Sequence, residues 1–235
     1  MSSTNGTHEL VEYKENVHPC VSLAMNAELM REFTTTEVNI SLSQMHPLKS
    51  PRPDSYSACF YQMSWNIVHT EVCNAVLDFV SSGNFVNSIN NTHIVLILKK
   101  KRCTRATDYR PISLYNVLYK LMAKVLANRL KKVLPSIISP NQSVFIPRWH
   151  INDNIIVAFE ALHTMSTRLK RRKGFMALKL DMSKAYDKVE WNFLEAVMRR
   201  LGFDDRWVSL IMVCVRTATY YVLVNGQPYG HIQPT

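Results

Sequence analysis

Asp181 ends a short β-type run and opens the segment Leu180-Asp181-Met182-Ser183-Lys184-Ala185-Tyr186-Asp187, with an aromatic ring five positions on. A carboxylate at a strand's end can reach into a cleft and help hold Mg²⁺, which takes a few carboxylates, waters and substrate phosphates. The same residue can equally cap a turn. A second group of residues offers cations in place of a carboxylate. Lys99, Lys100, Lys101, Arg102, Arg105 and Arg110 fall within twelve positions, and Arg168, Lys170, Arg171, Arg172 and Lys173 form a later cluster. Side chains of this type displace the counterions of phosphates. A solvated basic loop or a nuclear-import signal would use the same residues.

The net charge of +10 is unevenly placed. Residues 1–98 hold four basic and nine acidic side chains, residues 99–132 eleven and one, and residues 133–235 thirteen and eight. The basicity therefore belongs to a segment, which favours a localised polyanion contact over a general surface property. Five scattered cysteines form no CxxC pair, and the eight histidines show no HExxH or zinc-finger spacing, so no structural metal is expected. No apolar run approaches the roughly 18 residues of a membrane span, and the polar start lacks a secretory pattern. An intracellular protein, nuclear or cytoplasmic and not secreted, is expected. So is the absence of a membrane partner.

The elements that must position these residues are partly legible. Residues 1–32 begin polar with weak periodicity and read as a poorly ordered arm. A helix is expected to begin near Thr34–Thr36, with Thr36 capping Glu37 onward. The prolines of His46–Ser55 make a loop. Ala58–Val80 carries Phe60, Trp65, Val68, Val72, Val76 and Val80 at helical spacing, and Ser81-Ser82-Gly83 ends it. His93–Leu98 is β-branched and apolar and delivers the chain into the lysines, and Pro111 keeps Arg110 extended. These two segments predict a basic hairpin.

Val117–Leu134 is strongly amphipathic, with Val117, Leu118, Leu121, Met122, Val125, Leu126, Leu130 and Val133 on one side and Pro135 closing it. Further helices are expected over 153–169, 189–201 and 206–217. A strand is expected over 175–180, and Tyr220–Val224 with Asn225-Gly226 reads as a hairpin. Asp187 and Glu190 have capping-box spacing. Asp204-Asp205 precede a helix and read as caps. The mixture predicts an α+β fold.

Several segments, taken in order, carry a resemblance: HPLKSPRPDS, THIVLILKK, DYRPISL, YKLMAKVLANRL, SPNQSVFIP, INDNIIVAFEALH, ALKLDMSKAYDKVEW, LGFDDRWVSLI and VLVNGQP. Across about residues 33–235 the chain resembles the reverse transcriptase of plant non-LTR retrotransposons of the long-interspersed-element type. The resemblance implies the fingers and partial palm of a right-hand polymerase: a fingers-like region at 33–173 and a partial palm at 174–235. It implies an RNA-directed DNA polymerase, a nucleotidyltransferase that copies an RNA template from a DNA primer with deoxynucleoside triphosphates. Its chemistry would be two-metal phosphoryl transfer with Mg²⁺ ions about 3.5–4 Å apart.

By position, Asp181 matches the first catalytic and metal-binding aspartate and Tyr186 the aromatic gate beneath the nucleotide sugar. Lys99 and Arg110 match fingers residues that hold the triphosphate, and Gln142 lies in the NQ-x-x-F segment near template and nucleotide. The family's second motif, Tyr/Phe-Ala-Asp-Asp, does not occur in these 235 residues. The loop usually written PGPDG stands as Pro51-Arg52-Pro53-Asp54-Ser55, Leu98 precedes Lys99 where the family has proline, and Arg148 is followed by Trp149 in the segment that usually reads Pro-Gly-Arg. A truncated polymerase domain, inactive as this chain, is therefore expected. A non-catalytic nucleic-acid-binding protein or a retroelement relic are the alternatives.

Overall fold

The computed structural model describes residues 17–48, 56–85, 89–139, 142, 151–167, 176–178 and 188–234. Two compact units partition the chain, one holding the residues up to Arg129 together with those from Glu190, the other running from Leu130 to Val189.

In the first unit, α1 (Leu23–Met30) lies within the stretch read from sequence as an arm. Its amphipathic signal is weak, but Ser22 caps it by accepting from the Met25 amide, and Leu29 is fully buried. Helix α2 (Thr35–Ser43) begins within the expected range, but its cap is Thr34, not Thr36. The Glu37 amide donates to Thr34 Oγ1 at 3.3 Å and the Thr34 amide to Glu37 Oε2 at 3.1 Å, the reciprocal box that Thr36 has no glutamate to complete.

The long helix expected from Ala58 is two, α3 (Ala58–Met63) and α4 (Trp65–Ser82), interrupted at Ser64. Val72, Val76 and Val80 of the expected stripe are buried, joined by Cys73 and Phe79, whereas Phe60 is exposed. Gly83 closes α4 in the left-handed region.

Helix α5 (Val117–Ile137) buries Val117, Leu121, Met122, Val125, Leu126 and Val133 as its pattern requires. It runs through Pro135 rather than ending before it. At position 135 proline loses its own donor and crowds the carbonyl one turn back, but only the last turn is affected, and the Ile138 amide still reaches the Leu134 carbonyl at 2.9 Å.

One residue on the buried side of α5 escapes any apolar pattern. Arg129 is 1% exposed. Its Nε and Nη2 fork onto Glu37 Oε1 and Oε2 at 2.9 and 2.8 Å, Nη1 donates to the Leu29 and Arg31 carbonyls, and Nη2 donates to that of Glu32 at 2.7 Å. The Phe33 ring centroid lies 3.4 Å from the guanidinium carbon. All of its donors are engaged, which is the condition for placing this charge inside. A single arginine thus ties the α1–α2 connection to α5.

Helices α7 (Trp191–Leu201) and α8 (Asp205–Arg216) belong to the same unit. Between them Gly202 takes φ +94°, and a Cβ there would meet the Val21 carbonyl oxygen at 3.2 Å. That close approach fits the segment before α1, where the Cys20 and Val21 amides both donate to the Leu201 carbonyl. Asn26 adds a donor to Gly202 O and an acceptor for the Asp204 amide.

The sheet has order β2-β1-β3-β4, formed by β1 (Asn91–Leu98), β2 (Tyr109–Leu114), β3 (Thr219–Val224) and β4 (Gln227–Ile232). Both expected hairpins are present and antiparallel, and β1 runs parallel to β3. Asn225 and Gly226 turn the second hairpin at φ 52° and 80°, the paired positive values that a tight hairpin needs. The mixture of helices with a small four-stranded sheet is the α+β arrangement expected from the sequence.

The second unit contains the end of α5 and α6 (Ile151–Thr167), whose Ile155, Ile156, Val157, Phe159 and Leu162 are exposed. Of the strand expected at 175–180, residues 176–178 are described and are not in a strand, while the rest of it lies outside the described residues, as does Asp187. Glu190 is the N-cap residue of α7, which begins at Trp191 instead of Val189.

Burial alone would raise the Glu37 carboxyl, but hydrogen bonds from Arg129 and the Thr34 amide, with the charges of Arg129 and Arg31, hold it below its ordinary value. Because the folded value is the lower one, this stabilisation is complete above the unfolded value of about 4.3 and is lost as pH falls through the folded value. Replacing Arg129 by methionine leaves that carboxylate without its fork and three carbonyls without a donor. Urea unfolding at pH 7 should show a loss of about 3–5 kcal/mol for Arg129→Met, narrowing in acid as Glu37 protonates. A loss under about 1 kcal/mol, or one unchanged at pH 3, would contradict the role given to this pair.

Candidate nucleic-acid interface

Strand β3 pairs with β1 only over Asn91–Ile94, so from Val95 onward β1 and β2 form a two-stranded ribbon. Leu96, Ile97, Leu98 and Ile112 are exposed along it, on both of its faces. The ribbon ends in the basic segment, which is why the cations sit away from the core that folds them.

The tip, residues 99–108, is an ordered loop closed by hydrogen bonds rather than by packing. The Lys99 amide donates to the Asp108 carbonyl at 2.9 Å and Lys99 Nζ to the Thr107 carbonyl at 2.8 Å. A 3₁₀ turn at Ala106–Asp108 brings Asp108 back over the loop. Asp108 Oδ2 accepts from the amides of Thr104 and Arg105, both at 3.1 Å, while Oδ1 pairs with Lys100 Nζ at 2.7 Å. The Lys100 hydrogen bond and then the Thr104 amide, joined by the Arg105 amide and the Lys99 charge, hold the Asp108 carboxyl below its ordinary value against desolvation. Lys101, Arg102, Arg105 and Arg110 are exposed. Among the described residues, the side chains of Lys101, Arg102 and Arg110 pair with none.

Of the residues singled out from sequence, Lys99 and Arg110 come together at this ribbon. Arg110 faces Ile97 across the ladder, two residues before Lys99. The acid of this segment pairs with Lys100 and not with Arg110. Gln142 is exposed, its amide donating to the Ser139 carbonyl at 2.9 Å, and it belongs to the second unit. Asp181 and Tyr186 lie outside the described residues. Among the described residues, no three His, Cys, Asp or Glu side chains gather in a way that could hold a metal ion.

Asp108 was missed as a site residue, although one signal pointed to it: it is the sole acid among eleven basic residues between 99 and 132. Arg129, counted with those cations, is withdrawn from the surface altogether.

Away from the ribbon, where β3 pairs with β1, an aromatic series connects β3 to α4. Tyr115 Oη and Tyr220 Oη are 2.8 Å apart, Tyr115 stacks on Tyr119 at 5.1 Å, and Phe85 lies between Tyr119 and Phe79. Burial raises both Tyr115 and Tyr119, so these phenols are neutral structural groups at physiological pH. Cys214, whose carbonyl accepts from Tyr119 Oη at 3.1 Å, has its thiol pushed up by burial to about 12 and is no nucleophile. Among the described helices, none is long and apolar enough to cross a membrane.

A family model described as reverse transcriptase (RNA-dependent DNA polymerase) matches residues 97–233, which run from the ribbon to the end of β4. The chain is 28% identical over 209 residues to the Transposon TX1 uncharacterized 149 kDa protein of Xenopus laevis, covering 88% of this chain and 16% of that protein. It is 26% identical over 176 residues to the Retrovirus-related Pol polyprotein from type-2 retrotransposable element R2DM of Drosophila melanogaster, covering 75% and 16%. A similar polyprotein from type-1 retrotransposable element R2 of Popillia japonica is 26% identical over 130 residues. The chain spans about a sixth of the length of these relatives.

The adjacent carboxylates Asp204 and Asp205 are accounted for without a metal. Asp204 caps α8 by accepting from the Arg206 amide at 2.9 Å, and Asp205 pairs with Arg199. Asp204→Ala should lower stability by about 1 kcal/mol in thermal or urea unfolding, and Asp204→Asn, which still caps, should recover most of it. An Asn variant as unstable as the Ala variant would show that the charge, and not the cap, is what the position needs.

Proposed function

Because this chain belongs to the reverse transcriptase (RNA-dependent DNA polymerase) family, we propose that it is the part of a non-LTR retrotransposon polymerase that holds an RNA template, a DNA primer and a deoxynucleoside triphosphate. The observation that carries this reading is the basic ribbon, whose exposed tip falls inside the matched residues. A relation to the plant, long-interspersed-element branch of these elements rests on the ordered segments of the sequence.

Lys99 and Arg110 are assigned to the triphosphate. Lys99 spends one of its three donors on Thr107, leaving two for phosphate oxygens, and Arg110 offers a planar fork suited to paired oxygens. Tyr186 is assigned to the sugar of the nucleotide and Gln142 to the template side. Polymerases of this family generally depend on a divalent metal. Asp181, a hard oxygen donor, would hold Mg²⁺, which lowers the barrier by neutralising charge that develops on the phosphoryl group. The division into a fingers-like part at 33–173 and a palm part at 174–235 goes with the same reading. With only the first aspartate motif among its 235 residues, the chain by itself binds without polymerising. Nucleus or cytoplasm is where such a protein would work.

The contact is ionic, so it should obey counterion release. Affinity for a fluorescent RNA–DNA primer–template, followed by anisotropy between about 50 and 200 mM salt, should fall linearly on logarithmic axes. The triple variant K101A/R102A/R105A should reduce that slope by up to about 3. Absent or salt-independent binding would overturn the proposal.

A further inference from the structure

We infer that Asp108 is a positioning residue for phosphate binding, folding the 99–108 loop so that its cations are presented and setting how many of them are available. This deepens the nucleic-acid reading above and rests on it. Three observations converge on this residue.

The first is topological. The loop hangs from a two-stranded ribbon that has lost its β3 neighbour, so no core fixes its shape. The second is the hydrogen bonding: Oδ2 gathers the Thr104 and Arg105 amides, and the Asp108 main chain receives the Lys99 amide. Cys103 Sγ also approaches the Asp108 carbonyl, at 3.4 Å. Four positions of the loop therefore converge on Asp108. The third is charge. Oδ1 holds Lys100 at 2.7 Å and removes it from the set that can meet phosphate, while the exposed Lys101, Arg102, Arg105 and Arg110 keep their charge outward. A carboxylate in a polyanion-binding loop would be a pure liability if its effect were only electrostatic. Its placement at the centre of the loop's hydrogen bonds is the return for that cost.

Two variants separate the two roles. Asp108→Asn keeps an oxygen that can accept from the Thr104 and Arg105 amides but cancels the charge that holds Lys100. Asp108→Ala cancels the charge and the acceptor together. Both raise the net charge of the loop equally, so electrostatics alone makes both bind polyanions more tightly and to the same extent.

The positioning role makes them diverge. With the RNA–DNA primer–template, Asp108→Asn should bind at least as tightly as the native chain, with a salt slope steeper by about 0.9 as Lys100 becomes available. Asp108→Ala should bind several-fold more weakly despite its extra positive charge. Amide hydrogen exchange at residues 104–105 should stay slow in Asp108→Asn and become fast in Asp108→Ala, with urea midpoints unchanged because the loop is remote from the core. Equal tightening in the two variants would overturn the inference while leaving the nucleic-acid reading intact, as would no change in either. Failure of the native chain to bind at all would overturn both.

Discussion

Arg129 is the interaction on which the first unit depends. Burying a guanidinium costs several kcal/mol unless its donors and its charge are both met. Here three main-chain carbonyls from the α1–α2 connection and one half-buried carboxylate meet them. The geometry leaves little freedom. Glu37 must be held at the start of α2, which its capping box with Thr34 does, and Phe33 must turn its ring to the guanidinium. With the α1–α2 corner fixed, Leu29, Val38 and Leu42 are carried into the same core as the apolar side of α5. Asn128, next to Arg129, reaches Ser41 at 3.0 Å and reinforces the same junction. One cation is thus spent on architecture within a segment whose Lys101, Arg102, Arg105 and Arg110 are exposed.

That division explains how a helix and a ribbon so close in sequence serve different ends. β1 enters the sheet at Asn90, a buried residue whose amide donates to the Cys214 carbonyl and to Thr217 Oγ1. Four residues later it leaves the company of β3 and becomes a ribbon with exposed apolar side chains and a basic tip. The rigid end is fastened by β3 and by the tyrosines beneath it; the outer end is shaped by Asp108. Cations on such a support can meet a charged strand without disturbing the core, and their spacing is set before any ligand arrives.

Much of this was legible in the sequence because the deciding physics is local. The hairpin signals, β-branched residues leading into lysines, Pro111 keeping Arg110 extended and Asn225-Gly226, act within a few residues, and both hairpins formed. Gly83 and Asp204 did what cap chemistry requires of them. What escaped depends on distant partners. Arg129 looks like one more surface cation until Glu37, ninety-two residues earlier, is placed against it. The α1 helix has almost no periodicity of its own and is held by Leu201 and Gly202 from the far end of the chain. Thr34 won over Thr36 as a cap because only it has a glutamate three residues on. Of the candidate site, Lys99 and Arg110 met as the hairpin implied, while the roles of Asp181 and Tyr186 rest on the sequence motif.

The chain belongs to the reverse transcriptase family; that its basic ribbon engages nucleic acid and nucleotide, and that its 235 residues bind without polymerising, is what we propose. The most direct measurement is primer extension on an RNA template with Mg²⁺, using the chain at concentrations that saturate the primer–template, beside Asp181→Ala. The account predicts a fully bound primer that neither protein extends. Template-dependent extension by the native chain that disappears in Asp181→Ala would contradict it.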